Sequence, residues 1–93
     1  LDIKPGESVC FGRDIDCCQV IFPGDCVSVS RKHCLLSCEA IDGEFRIVDY
    51  SSGGTYINGR RLEYGIVNAL PLNTEFWLGS RENAFYVAKK EAE

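Results

Sequence analysis

The chain has no apolar run near the roughly 18 residues a membrane helix needs, and no basic, apolar and small-residue succession that would mark a signal peptide. Those absences exclude a helical membrane anchor from this segment. Surplus positive charge is also lacking: 10 Lys plus Arg stand against 14 Asp plus Glu, a formal net charge of -4. Broad nucleic-acid surfaces depend on clustered cations that displace counterions, so nucleic acid is not an expected partner and any anion site must be local. No glycine-rich loop ending in GK[ST], no HExxH and no strand-turn-helix nucleophile elbow occurs, which removes the best-marked nucleotide, zinc and hydrolase sites. No linker, repeat or low-complexity tract divides the chain, and no apolar pattern of period 3.6 persists for about ten residues, so long amphipathic helices are not expected.

At 93 residues the chain suits one domain over 1–93, large enough for a single core. It begins at Leu1 without a methionine, which reads as a piece cut from a longer protein. Cysteine is the one abundant special residue: Cys10, Cys17, Cys18, Cys26, Cys34 and Cys38 all lie in the first part of the chain, and none follows a CxxC zinc spacing. Disulfides remain an open reading. Reduced, mostly buried thiols are the preferred one, because cysteine packs as a small apolar side chain and a core of this size needs no cross-links. That reading places the protein in the cytoplasm, with no metal and no cofactor. Cys17 and Cys18, as neighbours on a strand, would point to opposite faces and could not chelate one ion.

Short runs rich in β-branched and aromatic residues recur between Gly, Pro, Asn and Asp: "SVCFGR", "CCQVIF", "HCLLSCEA", "EFRIVDY", "GTYI", "TEFWLG" and "NAFYVAKK". This rhythm predicts an all-β, two-sheet sandwich with loops gathered at its ends. In "EFRIVDY", Phe45, Ile47 and Asp49 share one face while Arg46, Val48 and Tyr50 share the other. Asp42-Gly43 should close a hairpin between the runs on either side, and Asn58-Gly59 a second. "FPGD" at 22–25 and "SSGG" at 51–54 are the clearest loops.

Three loops carry convergent polar groups. One holds Gly12 and Arg13; the next holds Ser30, Arg31, Lys32 and the chain's single histidine, His33; the third is "DYSSGGTYING". A guanidinium offers a rigid fork of donors to a phosphate, and hydroxyls with glycine-exposed backbone N–H groups can complete an oxyanion shell. Ser30, His33 and Asp49 contain a triad's residue types, but positions i and i+3 of a regular strand face opposite sides, so catalysis is not expected. Arg13 alone could be a strand-end arginine paired with Asp14 or Asp16. Lys32 could equally be an ordinary charged turn residue. Arg60 and Arg61 read first as solubilising charges, with the alternative that one of them meets an acidic residue of a partner.

Gly12-Arg13, then Ser30-Arg31-Lys32-His33, then "DYSSGGTYING", in this order and spacing from about Val9 to Val87, closely resemble the forkhead-associated (FHA) domain. The resemblance implies a β-sandwich of the SMAD/FHA architecture whose end loops bind phosphothreonine in an extended peptide, in a protein that works beside Ser/Thr kinases. By the same resemblance Arg13 grips the phosphate, the Ser30 hydroxyl donates to it, Arg31 assists or touches the peptide, Ser52 stands beside the phosphate where the family usually has Ser or Thr, and Gly53 lies on the peptide side. His33 and Thr55 are implied as scaffold residues of the site, while Gly12 and Gly54 are expected to support it through backbone geometry and Asn58 through its turn. Two departures stand out. The family's usual "NGT" reads "GGT", so Gly53 replaces an asparagine that commonly bonds the peptide backbone, and Gly53→Asn is expected to strengthen binding. Family members also tend to carry a further strand before the Gly-Arg pair, which would lie upstream of Leu1 unless the sheet is shorter. The alternative function is a phosphate-independent interaction or oligomerisation module with a degenerate peptide site.

Overall fold

The computed structural model describes residues 2–88. Nine strands run through them in chain order: β1 (Ser8–Gly12), β2 (Val20–Ile21), β3 (Cys34–Cys38), β4 (Phe45–Asp49), β5 (Thr55–Ile57), β6 (Arg60–Arg61), β7 (Val67–Leu70), β8 (Phe76–Leu78) and β9 (Ala84–Phe85). Among the described residues there is no helix, and hence none long and apolar enough to cross a membrane. The strands form two sheets, β2-β1-β3-β4-β7 and β6-β5-β8-β9. All pairings are antiparallel except that of β1 with β2. The expected two-sheet sandwich is what the chain builds.

Alternation fixes which side chains meet between the sheets. Val9, Leu36 and Ile47 lie opposite one another across β1, β3 and β4, and all three are buried. From the other sheet Phe76 and Leu78, both fully buried, close the core against them. Burying each such side chain stabilises the fold by about 1.5 to 3 kcal/mol. Phe11 of the first sheet meets Phe76 and Phe85 of the second edge to face, with centroids at 5.7 and 5.3 Å, the geometry their ring quadrupoles favour.

Both expected hairpins form. Cys38 pairs with Phe45, the Glu39 amide donates to the Glu44 carbonyl at 2.8 Å, and Gly43 supplies the positive φ of 69° that the turn needs. At the second hairpin Asn58 and Gly59, with φ of 50° and 80°, make the tight turn that sets Ile57 opposite Arg60.

Three expectations need correction. The run "CCQVIF" is strand only at Val20–Ile21. The Asp14 carbonyl accepts from the amides of Cys17 and Cys18, and the Asp14 carboxylate accepts from the Asp16 amide, so local turn bonds outcompete a strand there. Cys17 is therefore exposed and Cys18 buried because of a turn, not because of strand alternation. Ser30 to His33 form a bent loop, not a regular strand. Only Ala84–Phe85 of "NAFYVAKK" is strand, and Lys89 and Lys90 lie outside the described residues.

Candidate functional site

The C-terminal end of β4 organises one end of the sandwich. Phe11, Cys34 and Asp49 share a row across β1, β3 and β4, so Asp49 points inward at the last position before the loop. Its Oδ1 accepts from the Ser51 amide at 3.1 Å, the Ser51 hydroxyl at 2.6 Å and the Thr55 hydroxyl at 2.8 Å. Asp49 is 1% exposed and Thr55 0% exposed, so these donors replace the water that a buried carboxylate gives up. The Ser51 hydroxyl accepts in turn from the Gly54 amide at 2.8 Å. The 51–54 loop is thereby folded onto a single carboxylate.

His33 ties that loop to the preceding one. The Ser30 amide donates to His33 Nδ1 at 2.9 Å, which leaves the ring proton on Nε2, where it donates to the Gly54 carbonyl at 2.9 Å. Burial pushes the imidazole pKa below its ordinary value, against the opposing pull of the Gly54 carbonyl and the Asp49 charge. Both nitrogens are engaged by backbone, so the ring is a brace between loops and is not available as a base for Ser30. Gly54 fits its place through a φ of +92° and through its missing β-carbon, which would come within 2.8 Å of the Arg61 Nε.

The Gly-Arg pair holds the 28–33 loop from the other side. A β-carbon at Gly12 would collide with the Arg31 carbonyl, so this glycine serves close approach and not a left-handed turn. The Arg13 and Asp14 amides donate to the Ser30 and Arg31 carbonyls at 3.2 and 3.0 Å. The Arg13 guanidinium donates from Nε to the Val29 carbonyl and from Nη1 to the Gly24 carbonyl at 3.0 Å. It makes no ion pair with Asp14 or Asp16; the salt bridges found among the described residues are those of Arg46 with Asp42 and Glu44.

Ser30 and Ser52 meet across the cleft between the two loops. The Ser52 amide donates to the Ser30 hydroxyl at 3.2 Å, and the two hydroxyl oxygens are 3.4 Å apart. Arg31 and Lys32 are exposed. The Asp16 amide, with the charges of Arg31 and Lys32 adding to it, holds the Asp14 carboxyl below its usual range, which places both cations within electrostatic reach of that loop. The structure thus joins Arg13 to the Val29–Ser30 carbonyls and Ser30 to Ser52. Asn58, at the tip of the β5–β6 hairpin, turns the chain so that Arg61 reaches the Ser52 carbonyl at 3.1 Å.

A third wall escaped the sequence reading. Gly79 has a φ of +67°, its missing β-carbon makes room for the Ser28 carbonyl, and its amide donates to the Gly54 carbonyl at 2.8 Å. Asn83 then donates from Nδ2 to the Ser28 hydroxyl at 3.1 Å and to the Leu78 carbonyl at 2.9 Å. Gly53 packs against the same segment, with its β-carbon position 3.0 Å from the Ser28 carbonyl. The signal available in sequence was the glycine ending "FWLG" followed by a polar turn with Asn83.

A cavity of about 1120 Å³ lies elsewhere, lined by core residues such as Leu36, Phe45 and Phe85 near the β3–β4 hairpin. It includes none of Arg13, Ser30, Arg31, Ser52 or Gly53, and its apolar walls offer an anion little. All six thiols are free, with Cys10 and Cys18 in contact at 3.1 Å. Burial, and after it the neighbouring Cys18, pushes the Cys10 thiol pKa up to about 12, and burial pushes that of Cys34 up as well. Among the described residues no group of His, Cys, Asp and Glu is placed to hold a metal ion.

Over residues 9–79, a span that contains the Gly12-Arg13, 28–33 and 51–54 segments, the sequence matches the FHA domain family. The chain belongs to that family. Its fold is that of the FHA domain of MEK1 in complex with a HOP1 phosphothreonine peptide, at 26% identity and a TM-score of 0.82, covering 97% of this chain and 88% of that one. The FHA domain of the CT664 protein from Chlamydia trachomatis superposes with a TM-score of 0.80 at 24% identity, over 98% of this chain and 83% of the other. The N-terminal FHA domain of Rad53p from S. cerevisiae, in complex with a phosphothreonine peptide, gives 0.68 at 25% identity, over 84% of this chain and 62% of that one. No curated protein sequence matches the chain. Within this FHA domain Asp49 and Ser51, which carry the 51–54 loop, were not among the expected supports; an aspartate ending a strand before two serines was their signature.

Proposed function

We propose that this FHA domain is a phosphothreonine-peptide binding module of Ser/Thr kinase signalling in the cytoplasm, and that the whole of 1–93 serves as that one domain. Arg13, Ser30, Arg31, Ser52 and Gly53 form the contact set, and Gly12, His33, Gly54, Thr55 and Asn58 hold it. The observation that carries this reading is the Ser30–Ser52 contact at the mouth of two braced loops, with the Arg13 guanidinium fastened to the adjoining carbonyl of Val29. The complexes of MEK1 and Rad53p FHA domains with phosphothreonine peptides support it.

A phosphothreonine brings about -1.5 to -2 charges at neutral pH and three acceptor oxygens. Each charge-assisted hydrogen bond contributes roughly 1.5 to 3 kcal/mol net, so three or four reach the approximately 8 kcal/mol of a micromolar complex. The unmodified threonine offers none of this, and phosphorylation becomes the switch for binding. The braced loops need little reordering, which keeps the entropic cost of association low.

Gly53, where the family commonly has asparagine, favours a second reading: a phosphate-independent interaction or oligomerisation module. Fluorescence anisotropy with a degenerate phosphothreonine library and its unphosphorylated counterpart separates the two. Preference for the phosphorylated library is expected. Equal binding of both would transfer the case to the second reading.

A further inference from the structure

The outer face of the second sheet carries a row of cations and aromatics that starts at the rim of the 51–54 loop. Tyr56 lies opposite Arg61 on one side and Trp77 on the other, so the three side chains stand in one cross-strand row. Their neighbours Thr55 and Ile57 face the core, which puts this row on the outside. The Tyr56 and Trp77 rings stack with centroids 5.6 Å apart and planes 16° apart, and the Arg81 guanidinium lies 5.3 Å from the Trp77 centroid.

Arg61 is held at the near end of the row. Its Nη2 donates to the Ser52 carbonyl at 3.1 Å, and the guanidinium lies over Gly54, where only the missing β-carbon leaves space for it. Ser52 is the residue whose amide is bonded to Ser30. Two hydrogen bonds therefore separate this exposed guanidinium from the serine assigned to the phosphate. Arg60, next in sequence, points to the opposite face of its strand. Neither Arg61 nor Arg81 has a carboxylate within ion-pair distance among the described residues. In a chain of formal charge -4, a row of two unpaired guanidinium groups and two rings is a local departure from the acidic surface.

Such a row has a defined complement. A guanidinium anchored by one N–H keeps the rest of its fork directed at solvent, in the geometry that suits a carboxylate, and the positioning has already been met by the Ser52 carbonyl. We propose that Arg61 is a specificity-determining residue that reads an Asp or Glu side chain flanking the phosphothreonine of the bound peptide, with Trp77 and Arg81 extending the same path. This rests on the phosphothreonine reading above. The module then selects acidic phosphopeptides in two contacts, phosphate at Ser30 and carboxylate at Arg61.

The test uses the full chain and synthetic phosphothreonine peptides in which each flanking position carries Glu, Ala or Lys in turn, with affinity read by fluorescence anisotropy. At one or two flanking positions Glu should bind about five- to tenfold tighter than Lys, the scale of one well-placed guanidinium–carboxylate contact. Arg61→Gln should erase that ratio, and any general weakening from loss of the Ser52 contact should fall equally on the Glu, Ala and Lys peptides. Arg61→Glu should reverse the ratio and favour the Lys peptide, an outcome that only a folded, binding-competent domain can give. A Glu/Lys ratio that is flat in the parent protein, or unchanged in Arg61→Gln, overturns the assignment of Arg61 and leaves phosphothreonine binding standing. Absence of binding to every phosphopeptide overturns the phosphothreonine reading itself, and this assignment with it.

Discussion

The hydroxyl of Thr55, on β5 of one sheet, donates to the carboxylate of Asp49, on β4 of the other, at 2.8 Å. That bond spans the sandwich at the end where the loops leave it, so the sheets and the loops share one anchor. Thr55→Val keeps the shape and removes the donor, leaving a buried carboxylate with one partner fewer. The expected loss is about 1 to 3 kcal/mol of stability, with an unchanged denaturant m-value. Urea unfolding checks it, and a midpoint equal to that of the parent would show that the bond contributes nothing.

Arg13→Ala should cost roughly 2 to 5 kcal/mol of phosphopeptide binding, the scale for truncating one partner of a buried charged pair. Calorimetric titration measures it. Because the guanidinium also donates to the Val29 and Gly24 carbonyls, some loss of thermal stability should accompany the change. Phosphopeptide affinity equal to that of the parent would remove Arg13 from the site.

Stability should decline as pH falls through about 6.5. The folded-state pKa of His33 is lowered, chiefly by burial, so the unfolded chain takes up the proton first and the stabilisation present above its ordinary value is lost on acidification. The slope from this single group can reach about 1.4 kcal/mol per pH unit between the two values. Protonation would also abolish the acceptor at Nδ1 and so release the Ser30 amide. Unfolding curves recorded without ligand between pH 7.5 and 5.5 isolate the effect, and flat stability across that interval would contradict it.

Gly53→Asn gives the clearest divergence between resemblance and structure. The family pattern predicts a gain in binding, yet a β-carbon at this position meets the Ser28 carbonyl at 3.0 Å. That carbonyl cannot retreat, because it is already pressed into the space at Gly79 and the Ser28 hydroxyl is held by Asn83. Overpacking of this kind costs about 1 to 3 kcal/mol, so weaker phosphopeptide binding is expected in anisotropy titrations. A measured gain would mean that the 28–30 segment yields more readily than its contacts imply.

The sandwich and both hairpins were legible because alternation and turn residues are local properties, whereas the meeting of the Ser30 and Ser52 loops followed only from the family resemblance. β7 was not: its apolar residues sit between Gly65, Asn68 and Pro71, and Val67 is 63% exposed, so an edge strand carries little of the alternating pattern. The turn at 14–18 was hidden by cysteines and isoleucine that favour a strand, and the Asp14 side chain overrode them. Gly79 and Asn83 were missed for another reason. Their partner Ser28 lies far away along the chain, and only the packed fold brings the segments together.

β6 consists of Arg60 and Arg61, both exposed, on the outermost strand of its sheet. An unpaired strand edge invites hydrogen bonding by a strand from another molecule, and two adjacent positive charges make that approach unfavourable through mutual repulsion between copies. The border of the second sheet is thus protected against end-to-end polymerisation by the same pair of residues, one of which is turned toward the loops.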